Sequence, residues 1–215
     1  MSVRKVSLAY DGAVVAEVPE TPITELPQIL QRGEAAASVM AGMSRDERAS
    51  ILFRASQRML EAKPDLARTI ALESGKPIRE ARVEVDRAAA TLWFSGEEAH
   101  RLAGEEVPMD AAAHGKGRLG YTMREPLGLV AAITPFNFPL NLSMHKVGPA
   151  IAAGNSILHK PASATPLSAL HAASILAAAG LPKDALQVVV GPGAEVGEAL
   201  VASDAIHLIS FTGSA

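Results

Sequence analysis

Residues 128–160, GLVAAITPFNFPLNLSMHKVGPAIAAGNSILHK, decide the fold of this chain. They begin with the apolar run GLVAAIT, which predicts a buried strand, and they end with a second apolar run, NSILHK. The segment between the runs, 139–153, has the length and apolar spacing of a helix. A strand, a helix and another strand in this order predict a right-handed βαβ unit with parallel strands.

The same alternation continues to the end of the chain. The apolar runs LQVVVG and IHLISF predict two more strands, and 166–179 and 194–201 predict helices. The first of these helices has clear boundaries, because Thr165 can cap it, Pro166 suits its first turn and Gly180 can end it. We therefore predict an α/β fold with a Rossmann-like parallel sheet, flanking helices and a helical segment before it.

The first hundred residues have a different pattern. Residues 1–20 predict a hairpin around an Asp-Gly turn, and the pattern from about 23 to 102 is helical. Ser44 and Glu47 form the sequence pattern of a capping box. In the helix that follows, Leu60 is expected on the same buried face as Met59, and Trp93 is expected in the core.

Residues 103–126 are polar and rich in glycine, and they separate the two parts. They predict two extended arms joined by a loop, which would be either a hairpin for subunit contacts or a solvated loop. The expected organisation is thus a helical part at 1–102, a hairpin segment at 103–126 and a Rossmann-like core at 127–215.

Composition excludes several classes of protein. The net charge is −3 and no run of lysine or arginine stands out, so nucleic acid is not expected as a partner. There is no cysteine, and no close cluster of histidines, so we expect no metal site. Neither a signal peptide nor a membrane-spanning segment is visible, and the expected location is the cytoplasm.

The turn ITPFNFPLN contains one polar side chain suited to catalysis, Asn137. Proline on each side of Phe-Asn-Phe restricts the backbone, so the Asn137 amide would point in a fixed direction. A fixed amide donor can stabilise a developing oxyanion. The alternative is that Asn137 only caps the helix that starts near Pro139.

Other predicted strand ends carry weaker signals. Lys160 follows a strand and could bind a ribose or a phosphate, or it could be a solvated lysine. Gly191, Gly193 and Gly197 read G-x-G-x-x-x-G, which departs from the usual dinucleotide fingerprint. The sequence TGS near the C-terminus follows the last strand and could place backbone N–H donors near a pyrophosphate.

Taken together, these segments resemble the NAD(P)-dependent aldehyde dehydrogenase superfamily. The similarity rests on REPLGLVAAITPFNFPLN, GPAIAAGNSILHKPA, TPLSAL, AAGLPKDALQVVVG and ISFTGS, in the family's order and spacing. The segment NLSMHK resembles the branch with lactaldehyde, phosphonoacetaldehyde and non-phosphorylating glyceraldehyde-3-phosphate dehydrogenases. The resemblance implies oxidation of an aldehyde to a carboxylic acid, with Asn137 as the catalytic oxyanion donor.

The resemblance also implies a cofactor site for NAD or NADP. Its residues line the nicotinamide, contact the adenosine ribose, or lie beside the adenine and pyrophosphate. They are Thr134, Pro135, Phe136, Lys160, Ala162, Ser163, Gly193, Gly197, Phe211, Gly213 and Ser214. Many NAD-preferring members have a glutamate where this chain has Ser163, so we expect NADP to be tolerated or preferred.

One further expectation concerns the completeness of the chain. The nucleophilic cysteine and the general-base glutamate of the family are not in this sequence, so the chain is expected to be a truncated, inactive cofactor part. The alternatives are a catalytically dead nucleotide- or partner-binding module, or a CoA-dependent or reductive relative.

The substrate is expected to be a small aldehyde, and the full-length enzyme to be a homo-oligomer, a dimer or a tetramer. His145 lies about two helical turns beyond Asn137. We expect that His145, with Lys146, favours a small hydroxylated or anionic aldehyde. The alternative is that the two residues form a helix-surface pair without a substrate role.

Overall fold

The computed structural model describes residues 2–8 and 10–213. The chain begins with an antiparallel hairpin of β1 (Val3–Ser7) and β2 (Val14–Pro19), as the Asp-Gly turn predicts. Gly12 in that turn has φ of 75°, a conformation that glycine adopts without strain. The predicted hairpin at the N-terminus is confirmed.

Four helices follow the hairpin and form the helical part of the chain. They are α1 (Leu26–Gly42), α2 (Arg45–Glu61), α3 (Lys63–Ser74) and α4 (Ile78–Arg101). The capping box is confirmed, because Ser44 accepts from the backbone N–H of Glu47 and the Glu47 side chain accepts from that of Ser44. The left-handed conformation of Gly75 ends α3.

Two predictions about the helical core are wrong. Met59 is fully buried, but Leu60 is 47% exposed, because a step of 100° per residue carries it past the edge of the buried stripe. Trp93 is also 47% exposed. Its ring packs against Phe53 with centroids 4.5 Å apart, and its indole N–H donates to Glu97 on the surface.

The segment 103–126 forms a second antiparallel hairpin. Its strands, β3 (Glu106–Val107) and β4 (Gly120–Tyr121), are two residues long and are joined by a loop with two short 3₁₀ turns. The structure thus has the two extended arms that the sequence predicts. Several large apolar side chains of the hairpin are exposed: Val107, Leu119, Tyr121 and Met123.

The last part of the chain alternates strands with helices. The strands are β5 (Leu129–Ile133), β6 (Ser156–Lys160), β7 (Leu186–Val188) and β8 (Leu208–Phe211). The helices are α5 (Asn141–Ala152), α6 (Leu167–Ala178) and α7 (Gly193–Val201). All strands are parallel, in the order β7-β6-β5-β8. The predicted α/β fold with a parallel sheet and a preceding helical segment is confirmed.

Close packing of α5 on α4 joins the two parts. Gly148 permits it, because a Cβ at this position would lie 2.6 Å from the hydroxyl of Ser95. The buried faces of both helices belong to one core cluster, which contains Leu92 and Val147 among others. The helical part therefore fixes the position of α5, and with it the turn that precedes α5.

The described residues show neither a membrane helix nor a metal cluster. Across 2–8 and 10–213, no helix is long and apolar enough to cross a membrane. The same residues contain no group of three or more His, Cys, Asp or Glu side chains that could hold a metal ion.

Candidate functional site

Three adjacent strands end at the same edge of the sheet. In the register of the sheet, Ile133 of β5 pairs with Lys160 of β6 on one side and with Phe211 of β8 on the other. The turn that contains Asn137 follows β5 directly. Ligands of open parallel sheets bind at this carboxyl edge, so the structure brings predicted residues from three separate segments to one place.

The Asn137 turn presents an exposed amide. Thr134 N–H donates to Lys160 O at 3.2 Å, which extends the ladder of β5 by one bond before the chain turns. Asn137 is exposed, and its Oδ1 accepts from the backbone N–H of Phe138 at 3.2 Å. That bond uses the oxygen of the amide, and the Nδ2 group is the remaining hydrogen-bond donor.

Glu84 of α4 caps the start of helix α5, although the two are far apart in sequence. Its Oε1 accepts from the backbone N–H groups of Leu140 and Asn141, at 2.9 and 3.1 Å. Lys76 contacts the other oxygen of Glu84 and donates to the backbone oxygen of Asn137 at 2.7 Å. The alternative in which Asn137 caps this helix is wrong, since the carboxylate of Glu84 occupies that role.

Thr134 turns its side chain into the core. It is 4% exposed, and its hydroxyl lies 3.0 Å from His159 Nε2 and 3.4 Å from the hydroxyl of Ser143. Burial, reinforced by Lys160 and Lys146, lowers the pKa of His159 to about 3, so the imidazole is neutral. Three residues are predicted to line the nicotinamide. Phe136 is exposed and Pro135 is partly exposed, whereas the side chain of Thr134 is buried in the core.

Lys160 is buried at the end of β6. It is 3% exposed, and its Nζ donates to Pro161 O at 3.0 Å. Burial lowers the pKa of Lys160, and the charge of Arg4 lowers it further. The alternative of a solvated lysine is therefore wrong.

Ser163 connects the end of β6 to the glycine turn after β7. Its hydroxyl donates to Gly191 O at 2.7 Å, and its neighbour Ala162 is partly buried. The hydroxyl proton is used in this bond, while the lone pairs of the oxygen are free to accept.

Helix α6 is capped by a second remote glutamate, Glu73 of α3. Its carboxylate accepts from the backbone N–H groups of Leu167 and Ser168, at 2.7 and 3.0 Å. The predicted cap, Thr165, is wrong: its buried hydroxyl has no hydrogen-bond partner among the residues that the structure describes. Burial raises the pKa of Glu73 to about 7, although its bonds to Ser168 and Leu167 oppose the shift.

A groove of about 470 Å³ lies between α7 and the carboxyl ends of β5 and β8. Gly193, Gly197 and Phe211 line it together with Ile133, and Phe211 is 60% exposed. A Cβ at either glycine would meet nothing within 4 Å, so both keep the α7 surface flat and open rather than permit internal packing. Three predicted cofactor residues are thus brought together.

The last predicted residues lie just beyond β8. Gly213 is exposed, whereas Ser214 lies outside the residues that the structure describes. The preceding Thr212 donates its backbone N–H to Ile133 O at 3.1 Å, and its hydroxyl accepts from Lys146 Nζ at 2.8 Å. This bond ties α5 to the end of β8.

The structure places His145 in a different groove. It is exposed on α5 and, with Phe94 and Pro149, lines an apolar groove of about 330 Å³ between α4 and α5. This groove extends to Ala153 at the far end of α5, away from the Asn137 turn. The structure therefore does not bring His145 into the groove that contains Phe211.

Sequence reasoning missed Glu73, Glu84 and Lys76. A signal for both glutamates was present, since each lies on the apolar stripe of its helix. Glu84 is spaced with Ala81, Val85 and Ala88, all of which are buried. A carboxylate on a buried stripe requires a partner, and such a pattern predicts a remote hydrogen bond even before the partner is known.

Comparison with known proteins assigns the family. Residues 2–215 match the family described as the aldehyde dehydrogenase family. The chain is 47% identical over 204 residues to aspartate-semialdehyde dehydrogenase 1 of Pseudomonas canavaninivorans, an alignment that covers 95% of this chain and 43% of that protein. It is 49% identical over 168 residues to 3-sulfolactaldehyde dehydrogenase of Priestia aryabhattai, covering 78% of the chain and 35% of that protein.

A solved structure agrees with this assignment. Glyceraldehyde-3-phosphate dehydrogenase from Methanocaldococcus jannaschii, complexed with NADP, superimposes with a TM-score of 0.92 at 36% identity. The superposition covers 98% of this chain and 46% of the other. The chain thus spans less than half the length of each of these three proteins. By sequence and by fold, it belongs to the aldehyde dehydrogenase family.

Proposed function

We propose that this chain supplies the cofactor-binding part and the oxyanion donor for NAD(P)-dependent oxidation of an aldehyde to a carboxylic acid. The observation that carries the proposal is the shared carboxyl edge, where the Asn137 turn, Lys160 and the glycine-lined groove of Phe211 meet. The dinucleotide, when bound, accepts the hydride. The residues of this chain bind it, shape the groove and direct the Asn137 amide.

Asn137 would act on the oxygen of the aldehyde. Attack by a thiolate on the carbonyl carbon makes that oxygen negative, and a fixed amide N–H lowers the energy of the anion. The chain contains no cysteine, so the thiol must be supplied from outside these 215 residues. Hydride leaves the same carbon, and water then converts the thioester to the acid.

A direct test uses the complete gene product, meaning the polypeptide encoded by the whole reading frame that contains this chain. It should oxidise a small aldehyde with NADP or NAD, while the 215-residue chain alone should bind the dinucleotide without turnover. Calorimetric titration and absorbance at the reduced-nicotinamide band measure the two properties. Absence of dinucleotide binding by the complete gene product would contradict the proposal.

The lack of cysteine favours one alternative, a binding module without catalysis. In that case the complete gene product would bind NADP or NAD and oxidise no aldehyde. The same two measurements therefore distinguish the alternative from the enzyme.

Cofactor selection should depend on Ser163. A glutamate at this position would repel the 2′-phosphate of NADP, whereas serine leaves room for it. The Ser163→Glu variant is expected to bind NADP at least about 10-fold more weakly, with a smaller change for NAD. Titration of each cofactor into the complete gene product measures the two affinities.

The matched control for that experiment is Ser163→Gln, which has the same size and no charge. It should retain more NADP affinity than the glutamate variant does. Equal losses in both variants would show that shape, rather than charge, determines the choice. Wild-type binding of NAD that equals or exceeds that of NADP would contradict the preference itself.

His145 and its groove are proposed to contribute to recognition of a small hydroxylated or anionic aldehyde. Support comes from the exposed imidazole of His145, which lines this groove together with other polar side chains, among them Thr91 and Ser95. His145→Ala in the complete gene product is expected to raise KM for such an aldehyde about 10-fold, with little change for an apolar aldehyde. Unchanged kinetics with both aldehydes would end the proposal.

The hairpin of β3 and β4 is proposed to form subunit contacts in a homo-oligomer. Its exposed apolar side chains, such as Leu119 at 80% and Met123 at 69%, support this role, because water is a poor environment for them.

A further inference from the structure

We propose that Lys76 and Glu84 are positioning residues for Asn137, and that they fix the direction of its amide through the peptide bond between Asn137 and Phe138. The inference deepens the function proposed above and rests on it. Both side chains are proposed to act through the contacts that they make with the turn and with the start of α5. The geometry on which the proposal stands consists of four hydrogen bonds, one ion pair and one cation–π contact.

Glu84 holds the first turn of α5. It is 1% exposed, and its Oε1 accepts from the N–H groups of both Leu140 and Asn141. These two N–H groups have no partner within α5 itself, and the negative carboxylate also suits the positive end of the helix dipole. The start of α5 is thereby fixed relative to α4.

Lys76 holds the residue before that helix. Its Nζ pairs with the second oxygen of Glu84 and donates to Asn137 O at 2.7 Å. The same Nζ lies 4.3 Å from the centre of the Phe138 ring, within the range of a cation–π contact. One ammonium group thus contacts both residues that share the peptide bond.

The planarity of that peptide carries the effect to the amide. The C=O of Asn137 and the N–H of Phe138 lie in one plane, and the plane resists twisting. Lys76 fixes the C=O, and the N–H donates to Oδ1 of the Asn137 side chain. Because the Phe138 N–H holds Oδ1, the position of Nδ2 depends on the orientation of the peptide plane that Lys76 sets.

A comparison of Glu84 with Glu73, the other glutamate that caps a remote helix, distinguishes a positioning role from a capping role. Glu73 also accepts from two successive backbone N–H groups at the start of α6, but it uses both carboxylate oxygens, whereas Glu84 uses Oε1 for both bonds and leaves Oε2 for Lys76. In the described residues, no lysine or arginine forms an ion pair with Glu73. A cap therefore does not require a buried ion pair, which is costly to desolvate. The lysine at Glu84 adds the contact with Asn137.

The test removes Nζ by Lys76→Met in the complete gene product. The rate of hydride transfer in a single turnover is expected to fall about 10- to 100-fold, because small misplacements of a catalytic group have effects of this size. KM for the cofactor should stay within about twofold, since Lys76 does not line the glycine groove. Lys76→Arg should recover part of the rate, because it restores a cation that can donate.

Two controls test for a general loss of stability: Lys63→Met breaks a more exposed ion pair, and Glu73→Gln alters a buried carboxylate. Lys63 pairs with Asp86 at 2.7 Å and, like Lys76, links the α3 region to α4. Lys63→Met should leave the hydride rate unchanged. Glu73→Gln changes a buried carboxylate cap on the other helix, so it should alter stability without slowing hydride transfer.

A second measurement does not require activity. Hydrogen exchange of the segment 136–141, followed by mass spectrometry, should become faster in Lys76→Met and stay unchanged in Lys63→Met. Faster exchange with a normal hydride rate would show a structural role only and would overturn the proposal. Unchanged exchange would overturn it as well. A wild-type protein without aldehyde oxidation would contradict the proposed function instead, and exchange would still decide whether Lys76 orders the turn.

Discussion

Replacing Asn137 by alanine in the complete gene product is expected to lower kcat for aldehyde oxidation about 100- to 1,000-fold, the loss that accompanies removal of one oxyanion donor. The substitution removes Nδ2 and leaves the backbone of the turn in place. Lys76 still contacts the backbone oxygen of residue 137, and Glu84 still caps α5. The loss should therefore appear in kcat and leave cofactor binding close to that of the wild type.

Stability and binding measurements provide the control for this variant. Asn137 is exposed, and among residues 2–8 and 10–213 its side chain makes one hydrogen bond, accepted from the adjacent Phe138 N–H. The melting temperature and the affinity for NADP should consequently change little. Asn137→Asp is a stricter test, because it keeps the size of the side chain and replaces the donor by an acceptor. Either variant with a kcat within about threefold of the wild type would exclude the oxyanion role.

The order of strands, turns and helices around the sheet could be predicted from the sequence because each element depends on a local pattern of residues. Apolar runs of strand length alternate with helical segments, and the strand ends carry the polar residues. Parallel strands must end at the same edge, so residues distant in sequence, such as Lys160 and Phe211, could be placed at one site before the structure was known.

The contacts that hold the site could not be predicted in the same way. The sequence offers local candidates for the helix caps, Thr165 as the predicted cap and Asn137 as an alternative, since a local cap is the commonest arrangement. In the structure, the N–H groups at the two helix starts donate instead to carboxylates that are remote in sequence. Glu73 lies 94 positions before Leu167, and Glu84 lies 57 positions before Asn141. Sequence spacing does not specify which helix end a buried glutamate reaches, because that depends on how the helical part packs against the sheet.

The burial of individual polar side chains could not be predicted from the local sequence pattern either. Lys160 and Thr134 stand at strand ends, where exposure is the usual state, but each is at least nine-tenths buried. The hydroxyl of Thr134 lies against His159 of the neighbouring strand, and the charge of Arg4 acts on Lys160; both partners are remote in sequence. Trp93 shows the opposite case, since its indole finds a polar partner on the surface.

The unfolding free energy should decrease as the pH rises from about 4.5 to about 7, and Glu73→Gln should remove this decrease. Burial raises the pKa of Glu73 from 4.5 to about 7 in the folded chain. The folded state therefore holds this proton more tightly than the unfolded state does. The stability from the proton is fully present below pH 4.5 and is lost as the pH passes 7, by about 3 kcal/mol in all.

Urea unfolding of the wild type and of Glu73→Gln at pH 5, 6, 7 and 8 measures the effect. The difference between the two proteins isolates residue 73, because other titrating groups contribute nearly equally to both. Glutamine keeps an oxygen that can accept from Leu167 or Ser168 and cannot ionise, so its advantage should grow with pH. Glu61→Gln changes an exposed carboxylate and should run parallel to the wild type. Parallel curves for Glu73→Gln would instead show that the two backbone bonds and the helix end offset the burial of the charge.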